Sequence, residues 1–349
     1  MTQGRQSDAM SGCFFHTAWC EEEEKGLPGW LIFVLILLAA FAVFMFYTGY
    51  HLFMLASYNA GEARTAKQER AQRRSDVLPE MNPWKDCLEA HEADRAYAAG
   101  LAGQDLFIRS GDGLNLHGRY IPAEGEAKRI VLCMPGFRST PEDDFGEIAR
   151  WLHRDCDLLF VDQRACGRSD GTFITFGAKE KGDAARWIAG LIGSNRRNLP
   201  IYLYGMSMGA STVLLTAGNI FPESVRGIIA DSSYASLGEM VRYLASRWFR
   251  IPGWLFAPFF AFWCWQKGQF SFRDTDVSNA MHTARLPILF IHGTADDYVP
   301  LSQPRSSYHA CVSDKELFLV EGAGHVGAHR ADPEKYEKHV NIFFERFDS

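Results

Sequence analysis

Ile201-Tyr202-Leu203-Tyr204-Gly205-Met206-Ser207-Met208-Gly209-Ala210 is the stretch on which the reading of this chain turns. Four apolar residues run into a glycine, a serine sits two residues on, and a second glycine follows two later. Ala210 to Ala217 then has helical character. A strand that turns this sharply into a helix needs glycines where the two backbones crowd, and it lifts the Ser207 hydroxyl out of the sheet. The amino end of the following helix favours negative charge developing beside that hydroxyl. The pentapeptide alone is a common pattern; the strand before it and the helix after it make it specific.

Similar apolar runs recur on both sides. They are Ile130–Met134, Leu158–Val161, Gly227–Ala230, Ile288–Ile291 and Leu317–Val320, separated by helical stretches. Upstream, Leu106 to Ser110 and Leu114 to Ile121 read as a hairpin joined at Gly111-Asp112-Gly113. Continuous apolar strands alternating with helices predict a mostly parallel eight-stranded α/β sheet covered on both faces. Ligands in such sheets bind beyond the carboxyl ends of the strands, so chemistry belongs just after an apolar run.

Two further runs lead into chemistry-bearing loops. His292-Gly293-Thr294-Ala295-Asp296-Asp297-Tyr298-Val299-Pro300 follows Ile288–Ile291, and Glu321-Gly322-Ala323-Gly324-His325 follows Leu317–Val320. With these motifs in place, the chain from Asp112 onward resembles the α/β-hydrolase superfamily, and within it the serine esterase and serine aminopeptidase-like group. The resemblance implies the α/β-hydrolase fold with a helical cap, and catalytic Ser207, Asp296 and His325 in that chain order. A serine hydroxyl is a poor nucleophile at neutral pH, so His325 must take its proton, and Asp296 must orient and stabilise the imidazolium. The oxyanion needs two backbone donors, Met208 N–H and, by resemblance, Phe137 N–H. Here the chain reads Pro135-Gly136-Phe137 where relatives carry His-Gly, which removes a bracing side chain and keeps the backbone donor. Asp231, after Gly227–Ala230, is the alternative acid. His117, His292 and His329 fall at positions that do not suit the base. Asp162-Gln163-Arg164-x-x-Gly167-Arg168-Ser169 is read as a structural loop, with Glu180 and Asp183 available to its arginines. No phosphate-binding loop or His/Asp metal cluster is present, so neither cofactor nor metal is expected. Cys13, His16 and Cys20 supply three soft ligands where zinc wants four.

Between Asp231 and Leu286 the chain is too long for one crossover helix and is crowded with aromatics, among them Trp248, Trp254 and Phe259. These three are read as lining an apolar substrate pocket under a cap inserted at about 236–280. The uncharged stretch between Arg250 and Lys267 is short of the ~20 residues that cross a bilayer. An interfacial segment dipping into the membrane, or a true second span, are the competing readings.

The amino-terminal end is of another kind. No Asp, Glu, Lys or Arg occurs between Lys25 and Glu62, and Trp30 to Tyr50 can cross a ~30 Å hydrocarbon layer. Trp30 stands at one end, Tyr47 and Tyr50 at the other, as interfacial aromatics do. The expected organisation is a tail (1–26), a single transmembrane anchor (27–58), a helical stalk (59–101) and the hydrolase-like domain (102–349). Arg64, Lys67, Arg70, Arg73 and Arg74 follow the anchor, whereas Arg5 and Lys25 precede it, so positive-inside bias puts the large domain in the cytoplasm. The opposite topology remains open.

Composition excludes other classes. The formal net charge is −6 over 349 residues, unlike a basic nucleic-acid binder, and 47% apolar residues exclude disorder. Eight scattered cysteines without a C-x-x-C pair do not form a disulfide framework. The expected function is a membrane-anchored serine hydrolase acting on carboxylic esters with an apolar acyl or aromatic portion. Rival readings are a peptidase or amidase of the same fold, acting on a peptide-like substrate, and a catalytically silent binding module. The sequence leaves the oligomeric state open.

Overall fold

Ile130, Leu132 and Met134 point to one face of their strand, Val131 and Cys133 to the other, and each set lies in a different buried cluster. That two-sided burial repeats across the sheet and is what the continuous apolar runs encode. In the computed structural model, which describes residues 27–59, 84–248 and 250–348, the runs become eight strands. They are β1 (Gln104–Arg109), β2 (Asn115–Ile121), β3 (Arg129–Met134), β4 (Cys156–Val161), β5 (Ile201–Met206), β6 (Val225–Asp231), β7 (Ile288–Gly293) and β8 (Lys315–Val320). Their spatial order is 1-2-4-3-5-6-7-8. β2 is antiparallel to β1 and β4, and every other neighbouring pair is parallel. The tail, with Cys13, His16 and Cys20, and most of the stalk lie outside the described residues.

The helices are α1 (Gly29–Ser57), α2 (Leu88–Gly100), α3 (Pro141–Leu152), α4 (Glu180–Ser194), α5 (Met208–Leu214), α6 (Leu237–Trp248), α7 (Gly253–Trp263), α8 (Val277–Met281), α9 (Ser302–Ala310), α10 (Ala328–Ala331) and α11 (Pro333–Phe347). Phe145, Ile148 and Leu152 of α3 join Val340 and Phe344 of α11 on one face of the sheet. Trp187, Ile188 and Leu191 of α4 join Val213 and Leu214 of α5 on the other. Thr140 caps α3, accepting from Asp143 N–H, with Pro141 at the first helical position. α2 packs on α3: Arg150 bonds Asp94 at 3.0 Å, and Gly146 lies so close to the Asp94 backbone that a Cβ there would stand 2.8 Å from it. α2, at the end of the stretch expected to be the stalk, is therefore fastened to α3.

The segment between β6 and β7 comprises α6, α7, a π-turn at Cys264–Gly268, a 3₁₀ turn at Phe272–Thr275 and α8. α7 has 11 residues, about 16 Å at 1.5 Å per residue, so it cannot span a bilayer. Among the described residues one helix, α1, is long and apolar enough to do so.

The chain falls into two units, residues 1–44 and 45–349. In the first, the described helical residues expose their apolar side chains: Trp30 is 69% exposed and Phe33 62%. In the second, Met45 and Phe53 are fully buried among cap side chains such as Phe256 and Phe260. A buried side chain of this size contributes about 1.5–3 kcal/mol. Among the described cysteines, Cys87, Cys133, Cys156, Cys264 and Cys311 are free thiols.

Candidate active site

At the end of β5 the chain must reverse into α5 within one residue. Ser207 takes that turn at φ 52°, ψ −115°, a conformation a non-glycine residue adopts only when its surroundings enforce it. A Cβ on Gly205 would stand 2.4 Å from the Ala210 nitrogen, and one on Gly209 2.0 Å from the Met134 carbonyl oxygen. Both flanking glycines are thus required by close backbone approach. Met208 heads α5, so its N–H is one of the amides the helix itself leaves unbonded.

His325 and Asp296 meet this turn from the ends of β8 and β7. Ser207 Oγ donates to His325 Nε2 at 2.9 Å, and His325 Nδ1 donates to Asp296 Oδ2 at 2.7 Å. Asp296 is fixed in turn by the N–H groups of Tyr298 (3.0 Å) and Val299 (2.8 Å) on its other oxygen. Burial alone would raise the Asp296 pKa, but the His325 charge and hydrogen bond outweigh it and hold the carboxyl below its ordinary value. Burial works against a charged His325. The charge and hydrogen bond of Asp296, with Asp231 and Asp144 behind, overcome it and raise the imidazole pKa. The arrangement can draw a proton from the hydroxyl and hold it on the imidazole.

Asp231, the alternative acid, faces elsewhere. It accepts from Tyr336 Oη at 2.7 Å and Ser232 Oγ at 2.9 Å, and burial raises its pKa to about 6 despite these bonds. Ser232 Oγ in turn accepts from Val326 N–H at 3.1 Å. Val326, a β-branched residue at φ 49°, directly follows His325, so this bond pins the strained backbone that presents the imidazole. The other histidines are engaged as braces. His117 bonds Asp162 at 2.8 Å, His292 donates to Val299 C=O at 2.9 Å, and His329 bonds Glu147 at 2.9 Å.

The loop after β3 lies against the elbow: a Cβ on Gly136 would stand 3.2 Å from Ser207 Cβ. Two side chains hold it. Gly136 N–H donates to the buried Asp144 carboxyl, and Gln163 Nε2 donates to Pro135 C=O. Burial raises Asp144 to about 6, partly offset by Gly136 N–H and Ser139. Asp144 and Gln163 thus brace the peptide between Pro135 and Gly136. On the other side, Arg138 at φ 55° sends Nη2 to the carbonyls of Leu55 (2.6 Å) and Tyr58 (2.9 Å) at the end of α1. The same helix end bonds the loop after β4, through Ile174 N–H to Ser57 C=O (2.8 Å) and Asn59 N–H to Thr172 C=O (2.9 Å).

Residues 130–338 match the sequence profile of the alpha/beta hydrolase family. The chain belongs to that family. Among curated relatives it is 26% identical to the uncharacterized protein YqkD of Bacillus subtilis over 241 residues, covering 69% of this chain and 79% of that one. Among solved structures it is similar to the Pyrococcus furiosus esterase Pf2001 (TM-score 0.58, 21% identity, 74% of this chain and 94% of that one). It is also similar to the Pyrococcus horikoshii acylaminoacyl peptidase (TM-score 0.52, 16% identity, 71% of this chain and 42% of that one). At these identities the structural likeness is one of fold.

In this alpha/beta hydrolase the three cap aromatics expected at a pocket lie apart. Trp254 is 71% exposed, Trp248 is half-buried, and Phe259 packs against Gly49 of α1, where a Cβ would meet its own at 3.0 Å. In the loop after β3, Phe137 stacks on Phe176 at 5.6 Å, and Phe176 touches Phe270 of the cap at 6.3 Å. Neither of two surface clefts, of about 250 and 480 Å³, is lined by Ser207, Asp296 or His325. In the Asp162 loop, Arg164 pairs with Asp183 through two bonds of 2.7 Å, while Glu180 accepts from Thr175 and Gly177 and Arg168 pairs with Asp105. Among the described residues no group of His, Cys, Asp and Glu could hold a metal.

Proposed function

We propose that this chain is a membrane-anchored serine hydrolase that cleaves carboxylic esters through an acyl-enzyme. The observation that carries the reading is the unbroken bonding from Ser207 Oγ through His325 to Asp296 at a strained strand-to-helix turn. As the hydroxyl attacks the ester carbonyl, its proton passes to His325 Nε2, and the imidazolium is stabilised by Asp296. The carbonyl oxygen, now negative, takes hydrogen bonds from Met208 N–H and Phe137 N–H. His325 then returns the proton to the departing alkoxide. In the second half it activates water against the acyl-Ser207 ester, which releases the acid.

None of these steps asks for a cofactor. The aromatic cap and the rings of Phe137 and Phe176 favour a substrate with an apolar acyl or aromatic portion. α1 supports the anchor by length and apolarity. The basic residues from Arg64 to Arg74 favour a catalytic unit on the cytoplasmic side. A panel of p-nitrophenyl esters against aminoacyl anilides tests the reaction class. Higher kcat/KM on the esters, growing with acyl length, is the expected result; preferential cleavage of the anilides would make the protein a peptidase.

A further inference from the structure

On the cap, α7 and the π-turn after it carry a cluster of rings that is only partly covered. Phe262 touches Phe46 of α1 at 5.2 Å, Trp263 touches Phe46 and Tyr50 at 4.8 Å each, and Trp265 touches Phe262 at 6.0 Å. Trp263 Nε1 also donates to the Phe46 carbonyl at 3.1 Å. Trp265 is nonetheless 62% exposed and Phe262 39%, and Gln266 and Lys267 beside them are exposed.

The level of these rings follows from counting along α1. Irregular backbone is not tolerated in hydrocarbon, so the apolar layer begins no earlier than the first helical residue, Gly29. From Gly29 to Phe44 the helix rises about 24 Å, short of a hydrocarbon thickness of about 30 Å. Four or five more residues are needed, and these are Met45 to Gly49, the turn on which Phe262 and Trp263 pack. Tilt of the helix would call on still more residues. An indole on an apolar body with a lysine two positions on is the arrangement that suits the boundary between acyl chains and headgroups, the lysine reaching lipid phosphate.

We infer that Phe262 and Trp265 of the cap dock into the interfacial layer of the same bilayer that holds α1. The cap then meets esters that reside in the membrane, amphiphiles with an acyl chain, without their leaving it for water. This rests on the reading of α1 as a membrane span.

The test uses the full chain in nanodiscs of phosphatidylcholine, with and without a fraction of lipid brominated near the top of its acyl chains. Tryptophan emission is compared for the native protein, Trp265→Phe and Trp30→Phe; Trp265→Tyr repeats the first comparison with a second side chain. The inference predicts that the emission lost on Trp265→Phe is bromine-quenched, to an extent similar to that lost on Trp30→Phe. If the Trp30 component is quenched and the Trp265 component is not, α1 spans and the docking inference is overturned. An unquenched Trp30 component would instead overturn the span on which it rests. A Trp265 component shielded only in discs holding two copies would give that surface to a second chain and overturn the inference equally.

Discussion

At the scale of single residues, the account rests on which carboxylate serves His325. Asp296 accepts its Nδ1–H, whereas Asp231 is held by Tyr336 and Ser232. Asp296→Asn should therefore lower ester turnover by roughly 10⁴ through the wrong imidazole tautomer. Asp231→Asn should cost far less; the reverse ranking in steady-state kinetics would move the acid to β6. The pH profile follows from the same groups. Protonated His325 cannot accept the Ser207 proton, and its pKa is raised, so kcat/KM should rise with pH through a value above the ordinary imidazole one. Asp144→Asn keeps an oxygen for Gly136 N–H and removes a negative charge facing His325. Its acid limb should move to lower pH; a profile unmoved by this change would exclude the charge coupling. The motifs point to Ser207, Asp296 and His325 because each follows an apolar run, and the three side chains are hydrogen-bonded in series. Sequence reading misses what Asp144 and Gln163 do, since the groups they brace, Gly136 N–H and Pro135 C=O, are main-chain atoms that no side-chain pattern marks.

At the scale of elements, the strands were legible because burial on both faces writes itself as a continuous apolar run. The ends of Ile130–Met134 and Ile288–Ile291 fall within two residues of β3 and β7. The role of the end of α1 was not legible. Arg138 bonds main-chain carbonyls of Leu55 and Tyr58, groups that every residue carries, so no side-chain pattern announces the contact. The neighbours of the cap aromatics were not legible for a related reason: Phe259 packs on Gly49, and aromatic content alone does not say which ring faces which neighbour. Because Arg138 follows Phe137, its tie to the end of α1 also holds the loop after β3 that the proposed mechanism uses for the oxyanion. Arg138→Ala should lower kcat about 10-fold with little change in KM, less than the 10²–10³ lost with a whole oxyanion donor. Arg138→Lys, which retains one donor, should recover part of it. A fall in KM-controlled binding with kcat intact would assign Arg138 to the substrate pocket instead.

At the scale of the whole molecule, the end of a helix long enough to cross a bilayer hydrogen-bonds the loops after β3 and β4. With five basic residues from Arg64 to Arg74 after the helix, the hydrolase domain should be protected from protease added to spheroplasts until they are lysed. Digestion without lysis would place it outside. All of this presumes that the molecule is a serine hydrolase, and one measurement reaches that claim most directly. A fluorophosphonate probe is applied to the purified full chain and the modified peptide is read by mass spectrometry, with Ser207→Ala and Ser211→Ala alongside. Stoichiometric phosphonylation of Ser207, abolished with ester hydrolysis in Ser207→Ala and retained in Ser211→Ala, is the predicted result. An unlabelled native protein, or a Ser207→Ala variant that still labels and turns over, would contradict it.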